Sequence, residues 1–139
     1  MPDVLTHAAT GYLIGRKIPQ RPYESLLVFG TVLPDLVTRV PEIVLQRFLG
    51  FPVGHFFSAF HTPAGLILIC YLISFAFEGI SRKKSFFFLL FGTFIHFVMD
   101  LMQAQFHNGI YMPLFPFSFE TIQWKLFDPH DSLFASPVL

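Results

Sequence analysis

Hydrophobic and polar positions along the chain follow helical periodicity and give no alternation strong enough for a sheet. The apolar positions of Asp3 to Ile14 predict a first helix, which a proline-containing turn follows. Glu24 to Leu33 begins a second helix, which Pro34 is expected to interrupt. Val40 to Leu49 predicts a separate amphipathic helix. The pattern therefore indicates an all-α fold.

Two long apolar stretches follow, from about Phe57 to Phe77 and from Phe86 to about Met102. They predict two long hydrophobic helices, and the basic cluster Arg82-Lys83-Lys84 separates them. A membrane hairpin with this cluster in a cytoplasmic turn would follow the positive-inside rule. The alternative is a small helical protein whose central helices are buried on all sides. With the preceding segments, the prediction is a compact bundle of about five helices in one domain, residues 1–139.

Composition favours contact with a membrane. Apolar residues make up 53% of the chain and charged residues 13%, against about 25% charged in typical soluble domains. Nine basic and nine acidic residues balance, so charge does not indicate a nucleic-acid surface. The N-terminal segment has no basic region before its apolar residues, so no cleaved signal peptide is predicted. We expect an inner or cytoplasmic membrane location, with membrane lipid as a partner.

Two polar side chains within the second apolar stretch indicate chemistry. His96 and Asp100 are four residues apart in "FIHFVMD", so a helix would place them on one face, about 6 Å apart at Cβ. A buried carboxylate without a partner would cost several kcal/mol, on the order of a lost charge interaction. Asp100 therefore needs a partner, which could be a metal ion, His96 itself, Arg39 or Arg16.

Further candidate ligands are scattered along the chain: His7, Asp35, His55, His61 and His107. Imidazole and carboxylate together suit Zn²⁺ best, with Mn²⁺ or Fe²⁺ as alternatives. Each residue also has an ordinary interpretation: a helix residue for His7, an N-cap for Asp35, and a boundary residue for His61. Taken singly, the ordinary interpretation is favoured for each of these three residues.

In order, the motifs "THAATG", "LPDL", "HFFSAFHT", "HFVMD" and "NGIYMPLFPFS" resemble those of the YdjM-like family of membrane-associated proteins described as metal-dependent hydrolases. The likeness covers roughly residues 5 to 118. The family is in turn similar in layout to the all-helical zinc-dependent phospholipases C and single-strand nucleases. One departure is Val37, where many members carry a second acid after the Pro-Asp pair.

The resemblance implies that His96 and Asp100 are metal ligands and that Asp100 bridges two ions. It also implies that Asp35 and His61 bind one ion and His7 the other. His107 is a further candidate ligand. One or two divalent ions are expected, because the chain lacks the later His-x-x-x-Glu pair of the phospholipase group.

The leading hypothesis is a metal-dependent hydrolase of a phosphodiester or lipid-linked phosphoester, with Asp35 as general base and His55 orienting it or the leaving group. Two alternatives stay open. One is a non-catalytic membrane protein with a structural metal. The other is a plain helical bundle with a buried His–Asp pair, in which His7, Asp35 and His61 would lie apart.

Overall fold

A computed structural model describes residues 4–19, 21–50 and 56–102, together with six positions near the C-terminus: 117, 118, 120, 122, 124 and 126. This part of the chain is all-helical, as predicted. Its four α-helices are α1 (Val4–Gly15), α2 (Glu24–Ile43), α3 (Pro63–Ser74) and α4 (Gly79–Met102). A short 3₁₀ helix, Arg21–Tyr23, precedes α2, and another, Phe56–His61, precedes α3.

The second helix does not stop at Pro34, contrary to the prediction. It runs through Pro34 and Pro41 and continues into a π-helical turn, Val44–Phe48, so the predicted amphipathic helix is its C-terminal part. Pro34 has no N–H for the Gly30 carbonyl one turn earlier. The Thr93 hydroxyl of α4 donates to that carbonyl at 3.3 Å instead. A tertiary hydrogen bond thus replaces the lost helical one, and four helices result where about five were predicted.

The boundary between the two apolar helices also differs from the prediction. The basic cluster Arg82-Lys83-Lys84 lies in the first turns of α4, and the connection is residues 75–78. Before α3, the Thr62 side chain accepts a hydrogen bond from the Gly65 N–H at 3.2 Å and caps the helix. Pro63 occupies the first turn of α3, where a missing N–H costs no helical hydrogen bond because no carbonyl of the helix would accept from it.

Glycines allow α2 and α4 to cross in backbone contact. A Cβ on Gly92 would overlap the Leu27 carbonyl oxygen, and one on Gly30 would overlap the Leu89 carbonyl oxygen. Gly11 of α1 packs against α2 in the same way, since its Cβ would lie 2.7 Å from the Thr31 hydroxyl. These contacts draw three helices close enough for polar side chains on their inner faces to meet.

Polar side chains dominate the interior, whereas large apolar side chains cover much of the surface. Within the described residues, twelve polar or charged side chains are buried against seven hydrophobic ones. In the same part of the chain, twenty-four large hydrophobic residues are exposed. Cys70 is buried in the small apolar core between α2, α3 and α4. Such exposed apolar area is unusual for a soluble monomer and fits a protein surrounded by lipid.

Helix α4 contains a segment, Ser81–Met102, that is long and apolar enough to cross a membrane by length and composition. Phe87, Phe91 and Phe94 form an exposed stripe along it at helical spacing. On α3, Leu68 and Leu72 are exposed in the same manner, and so is Phe75 directly after the helix. The outer faces of both apolar helices therefore present a continuous hydrophobic surface.

Replacing Gly92 by alanine tests the α2–α4 crossing. We expect Gly92→Ala to lower the free energy of unfolding by about 1–3 kcal/mol, because the new methyl group meets backbone that cannot move aside. The thermal unfolding midpoint of detergent-solubilised protein measures this loss. Ser81→Ala, at an exposed position of the same helix, is the control and should leave the midpoint unchanged. Equal midpoints for both variants would contradict the close crossing.

Candidate metal centre

Five buried side chains from four parts of the chain converge between α1, α2 and α4. His7 comes from α1, Asp35 from α2, His61 from the end of the 3₁₀ helix before α3, and His96 and Asp100 from α4. Ligand atoms of His7, His96 and Asp100 lie within 4.8 Å of one another, and those of Asp35, His61 and His96 do likewise. These five residues are called the His/Asp cluster below.

The orientation of His96 is set by the backbone of α2. Its Nδ1 lies 2.8 Å from the Thr31 carbonyl oxygen. A carbonyl oxygen can only accept, so Nδ1 carries the hydrogen and donates it. In the neutral ring Nε2 then bears a lone pair, which points into the cluster. Metal-binding histidines are oriented in this way, by donating their other ring N–H to a carbonyl or carboxylate.

His61 is oriented by a side chain of α2. The Thr38 hydroxyl donates to the Pro34 carbonyl oxygen at 2.8 Å, which uses its single hydrogen. The same hydroxyl oxygen lies 3.4 Å from His61 Nδ1 and acts as the acceptor there. Nε2 of His61 is consequently the lone-pair nitrogen of the neutral ring. Like that of His96, it faces Asp100.

Three lone-pair atoms thus face one another at the centre of the cluster. Asp100 Oδ2 lies 3.1 Å from His61 Nε2 and 3.2 Å from His96 Nε2, and the two nitrogens are 3.4 Å apart. Acceptors this close repel each other unless a proton or a cation lies between them. Tetrahedral Zn²⁺, with bonds of roughly 2.0–2.1 Å, keeps its ligand atoms about 3.3 Å apart. The spacing and donor types of this triangle therefore fit a zinc ion.

Other cluster atoms are buried without hydrogen-bond partners among the described residues. They are both ring nitrogens of His7, Oδ1 of Asp100 and Oδ1 of Asp35. His7 stacks on the His96 ring with centroids 4.0 Å apart, and its Nε2 is 3.6 Å from Asp100 Oδ1. Leaving a buried polar atom unsatisfied costs about 1–3 kcal/mol. A cation beside these atoms would remove much of that cost.

The cluster is most accessible on the side of Asp35 and His61. His7, His96 and Asp100 are at most 1% exposed, whereas Asp35 is 4% and His61 8% exposed. Next to Asp35, the half-exposed Arg39 side chain places Nε 3.8 Å from Asp35 Oδ1. Arg39 therefore lies on the more exposed side of the cluster.

The structure brings together five of the sequence-predicted site residues, and two lie outside its described part. His55 and His107 belong to residues 51–55 and 103–116, which are not described. The convergence of His7, Asp35 and His61 on the His96–Asp100 pair differs from the plain-bundle alternative, which expected them apart. Arg39 pairs with Asp35, whereas the sequence allowed it as a partner for Asp100.

Val37 belongs to the apolar packing between α2, α3 and α4. It is partly buried and packs against the core cluster of Leu66 and Phe97 and against that of Leu33 and Cys70. An acid there would be partly buried among apolar side chains. The departure from the family pattern at this position therefore leaves all five side chains of the His/Asp cluster in place.

Sequence reasoning missed the residues that orient the histidines. Thr38 and the backbone of Thr31 fix His61 and His96, and Thr93 donates to the Gly30 carbonyl that Pro34 leaves without a helical donor. Thr93 and Thr38 each lie three residues from a predicted ligand, His96 and Asp35, which is about one helical turn. A threonine one helical turn from a candidate ligand in an apolar helix was therefore the sequence signal that could have indicated these orienting residues.

Comparison with known families gives one match, which spans nearly the whole chain. The model of the YdjM inner membrane protein family matches residues 1–138. The chain belongs to the YdjM family. The family match confirms the resemblance that the short motifs suggested, and it extends beyond the residues, roughly 5 to 118, that those motifs covered. The predicted inner-membrane location is confirmed by the same match. Comparisons with curated proteins and with solved structures find no match.

YdjM membership agrees with the inverted distribution of polar and apolar residues in the fold. An inner-membrane protein is expected to expose apolar side chains to lipid and to keep polar groups inside. The phospholipase C-like layout stays a prediction, since no solved structure matches.

The triangle of acceptors predicts that Asp100→Asn responds oppositely with and without metal. In buffer with a metal chelator, we expect the variant to be at least as stable as the wild type. The new amide can donate to Nε2 of His61 and of His96, and the substitution removes a buried charge. With zinc at one hundred times its dissociation constant, the wild type should gain about 2.7 kcal/mol of stability and the variant much less. Thermal unfolding midpoints in the two buffers measure both effects.

Glu42→Gln provides the matched control, since it neutralises a carboxylate of α2 outside the cluster. Zinc should stabilise this control as much as the wild type. An equal zinc response of Asp100→Asn and the wild type would contradict metal binding at Asp100.

Proposed function

We propose that this YdjM-family chain is a metal-dependent hydrolase of the inner membrane that cleaves a phosphodiester or lipid-linked phosphoester. One or two divalent ions serve it, with zinc first and manganese or iron as alternatives. The observation that carries the proposal is the triangle formed by His61 Nε2, His96 Nε2 and Asp100 Oδ2. In both histidines the other ring nitrogen, Nδ1, is hydrogen-bonded to a group of α2. Three protein ligands with a fourth position open characterise catalytic zinc sites.

Each member of the cluster has a role in this proposal. His61, His96 and Asp100 would hold the first ion. Oδ1 of Asp100, with His7 beside it, would be available to a second ion, which is the bridging role that the family resemblance implies for Asp100. A divalent ion there would polarise a phosphoryl oxygen and make a nearby water acidic enough to attack near neutral pH. His55 and His107 remain candidates for orientation and ligation.

Asp35 is the proposed general base. Its Oδ1 has no hydrogen-bond partner among the described residues, and its carboxylate belongs to the same group as His61 and His96. It also lies on the more accessible side of the cluster. From there Asp35 would take a proton from water as the water oxygen bonds to phosphorus. The P–O bond to the leaving group would break in the same step, and the leaving oxygen would take up a proton from solvent or from the protonated Asp35. Arg39, whose Nε lies 3.8 Å from Asp35 Oδ1, would hold the carboxylate in place.

Arg39 favours an anionic substrate. Its guanidinium is half-exposed at the approach to the cluster. Guanidinium groups recognise phosphate oxygens through paired hydrogen bonds. A phosphoester entering past Arg39 would therefore be attracted by the arginine and by the bound ion together.

A second candidate function is a structural metal site without catalysis. The near-complete burial of all five side chains favours it, since structural sites are closed. The two functions differ in turnover and share metal binding. Metal content and hydrolysis must therefore be measured on the same samples.

Hydrolysis of bis(4-nitrophenyl) phosphate by zinc-loaded protein tests the proposal. Asp35→Asn should lose at least about 100-fold in rate, because a positioned base contributes 10²–10⁴-fold. It should keep about one ion per chain, since His61, His96 and Asp100 remain. Asp100→Asn should lose both the metal and the rate. Metal content by elemental analysis and nitrophenolate release are the two measurements.

For this assay Glu42→Gln is again the control and should retain wild-type rate and metal content. Rates of Asp35→Asn and Asp100→Asn equal to the wild type would remove the hydrolase assignment. Bound zinc with no turnover in the wild type would favour the structural metal site.

A further inference from the structure

Basic residues concentrate at one end of the bundle. Six of the nine lysines and arginines lie in the α1–α2 connection and the first turns of α4: Arg16, Lys17, Arg21, Arg82, Lys83 and Lys84. Lys84 Nζ lies 5.8 Å from the Tyr23 ring centre, and Tyr23 stacks on Phe88 with centroids 5.0 Å apart. The two segments are therefore neighbours in space and form one basic end.

Tyrosines accompany this basic end. Tyr12 lies under Arg16, and Tyr71 lies under Arg82, with the guanidinium carbons 5.7 and 5.8 Å from the ring centres. Both tyrosines are about half-exposed. Tyrosine and tryptophan gather at the two membrane–water interfaces. The basic end therefore has the composition of an interface.

The single tryptophan lies at the opposite end. Trp124 is 55% exposed, and its backbone N–H donates to the Leu101 carbonyl oxygen at 2.8 Å, beside the C-terminus of α4. The distance along the axis of α4 between Lys84 and Met102 is about 27 Å, close to the ~30 Å hydrocarbon thickness of a bilayer. Helix α4 thus joins a basic, tyrosine-rich interface to one marked by tryptophan.

The His/Asp cluster lies toward the tryptophan end. His96 and Asp100 are about 18 and 24 Å along α4 from Lys84, beyond the bilayer midplane. Helix α2 begins at the basic end, and Arg39 follows Asp35 by four residues along it. The more accessible side of the cluster, where Arg39 lies, therefore points away from the basic end. Since basic residues mark the cytoplasmic side, the approach opens on the other side.

We propose that the metal site lies in the leaflet of the inner membrane away from the cytoplasm and takes its phosphoester from that side. The substrate class is a phosphoester headgroup at the outer membrane–water interface, where Arg39 receives it. The substrate part of this inference rests on the proposed hydrolase function. The orientation of the chain does not, because charge, aromatic residues and helix length carry it independently.

Labelling of single cysteines with a membrane-impermeant maleimide tests the orientation. In a full-length chain with Cys70→Ser, one variant carries Gln46→Cys at the cluster end and its matched partner carries Lys83→Cys at the basic end. Both positions are exposed and polar. In spheroplasts we expect Gln46→Cys to be labelled at least about ten times more than Lys83→Cys. After detergent is added, both should react equally.

Three results would overturn the orientation: stronger labelling of Lys83→Cys, equal labelling of both before detergent, and labelling of neither before detergent. None of them depends on metal or turnover. Cys70→Ser alone is the background control and should stay unlabelled throughout. The orientation can therefore fail while the hydrolase assignment stands, and the reverse also holds.

Activity in sealed membranes tests the substrate side. Spheroplasts should hydrolyse added bis(4-nitrophenyl) phosphate without lysis, whereas sealed inverted vesicles should do so only after detergent. A fluorescent phospholipid placed in the outer leaflet of spheroplasts distinguishes a lipid headgroup from a soluble phosphoester. Turnover in intact inverted vesicles equal to that in spheroplasts would overturn the proposed side of access.

Discussion

The hydrogen bond from His96 Nδ1–H to the Thr31 carbonyl is the interaction on which the centre of this structure depends. It fixes which ring nitrogen faces Asp100, and it ties α4 to α2 at the level of the cluster. The bond can form because Gly30 and Gly92 let the two helix backbones touch. The proline one turn away would ordinarily weaken α2, but Thr93 supplies the donor that the Gly30 carbonyl lacks.

An interior with two carboxylates and three imidazoles is costly in a chain surrounded by lipid. Water cannot solvate these groups, and an isolated buried charge is far more expensive than a paired one. The fold gathers these groups in one cluster, where a bound cation would offset this cost. The same distribution leaves apolar side chains for the outer faces of α3 and α4, where they meet hydrocarbon. The polar cluster in the interior and the apolar surface thus both follow from the lipid that surrounds the protein.

Four segments contribute one or two ligands each, which makes the cluster sensitive to helix packing. Asp35 and His61 are joined by the connection between α2 and α3, and His7 depends on the contact of Gly11 with Thr31. Any change that separates α1 or α2 from α4 would therefore move the candidate ligands apart. A bound metal ion would for this reason couple to the stability of the bundle.

The sequence by itself determined the helical class, the membrane setting and the spacing of His96 and Asp100, because these follow from local periodicity and composition. Helical geometry alone places the two residues on one face. Only the tertiary structure decided that α2 continues through Pro34, since the replacement donor, Thr93, lies fifty-nine residues away. It also decided which ring nitrogens face the centre. His7, Asp35 and His61 lie far apart in the chain, so family resemblance suggested their convergence, and packing of glycine-lined helices produced it.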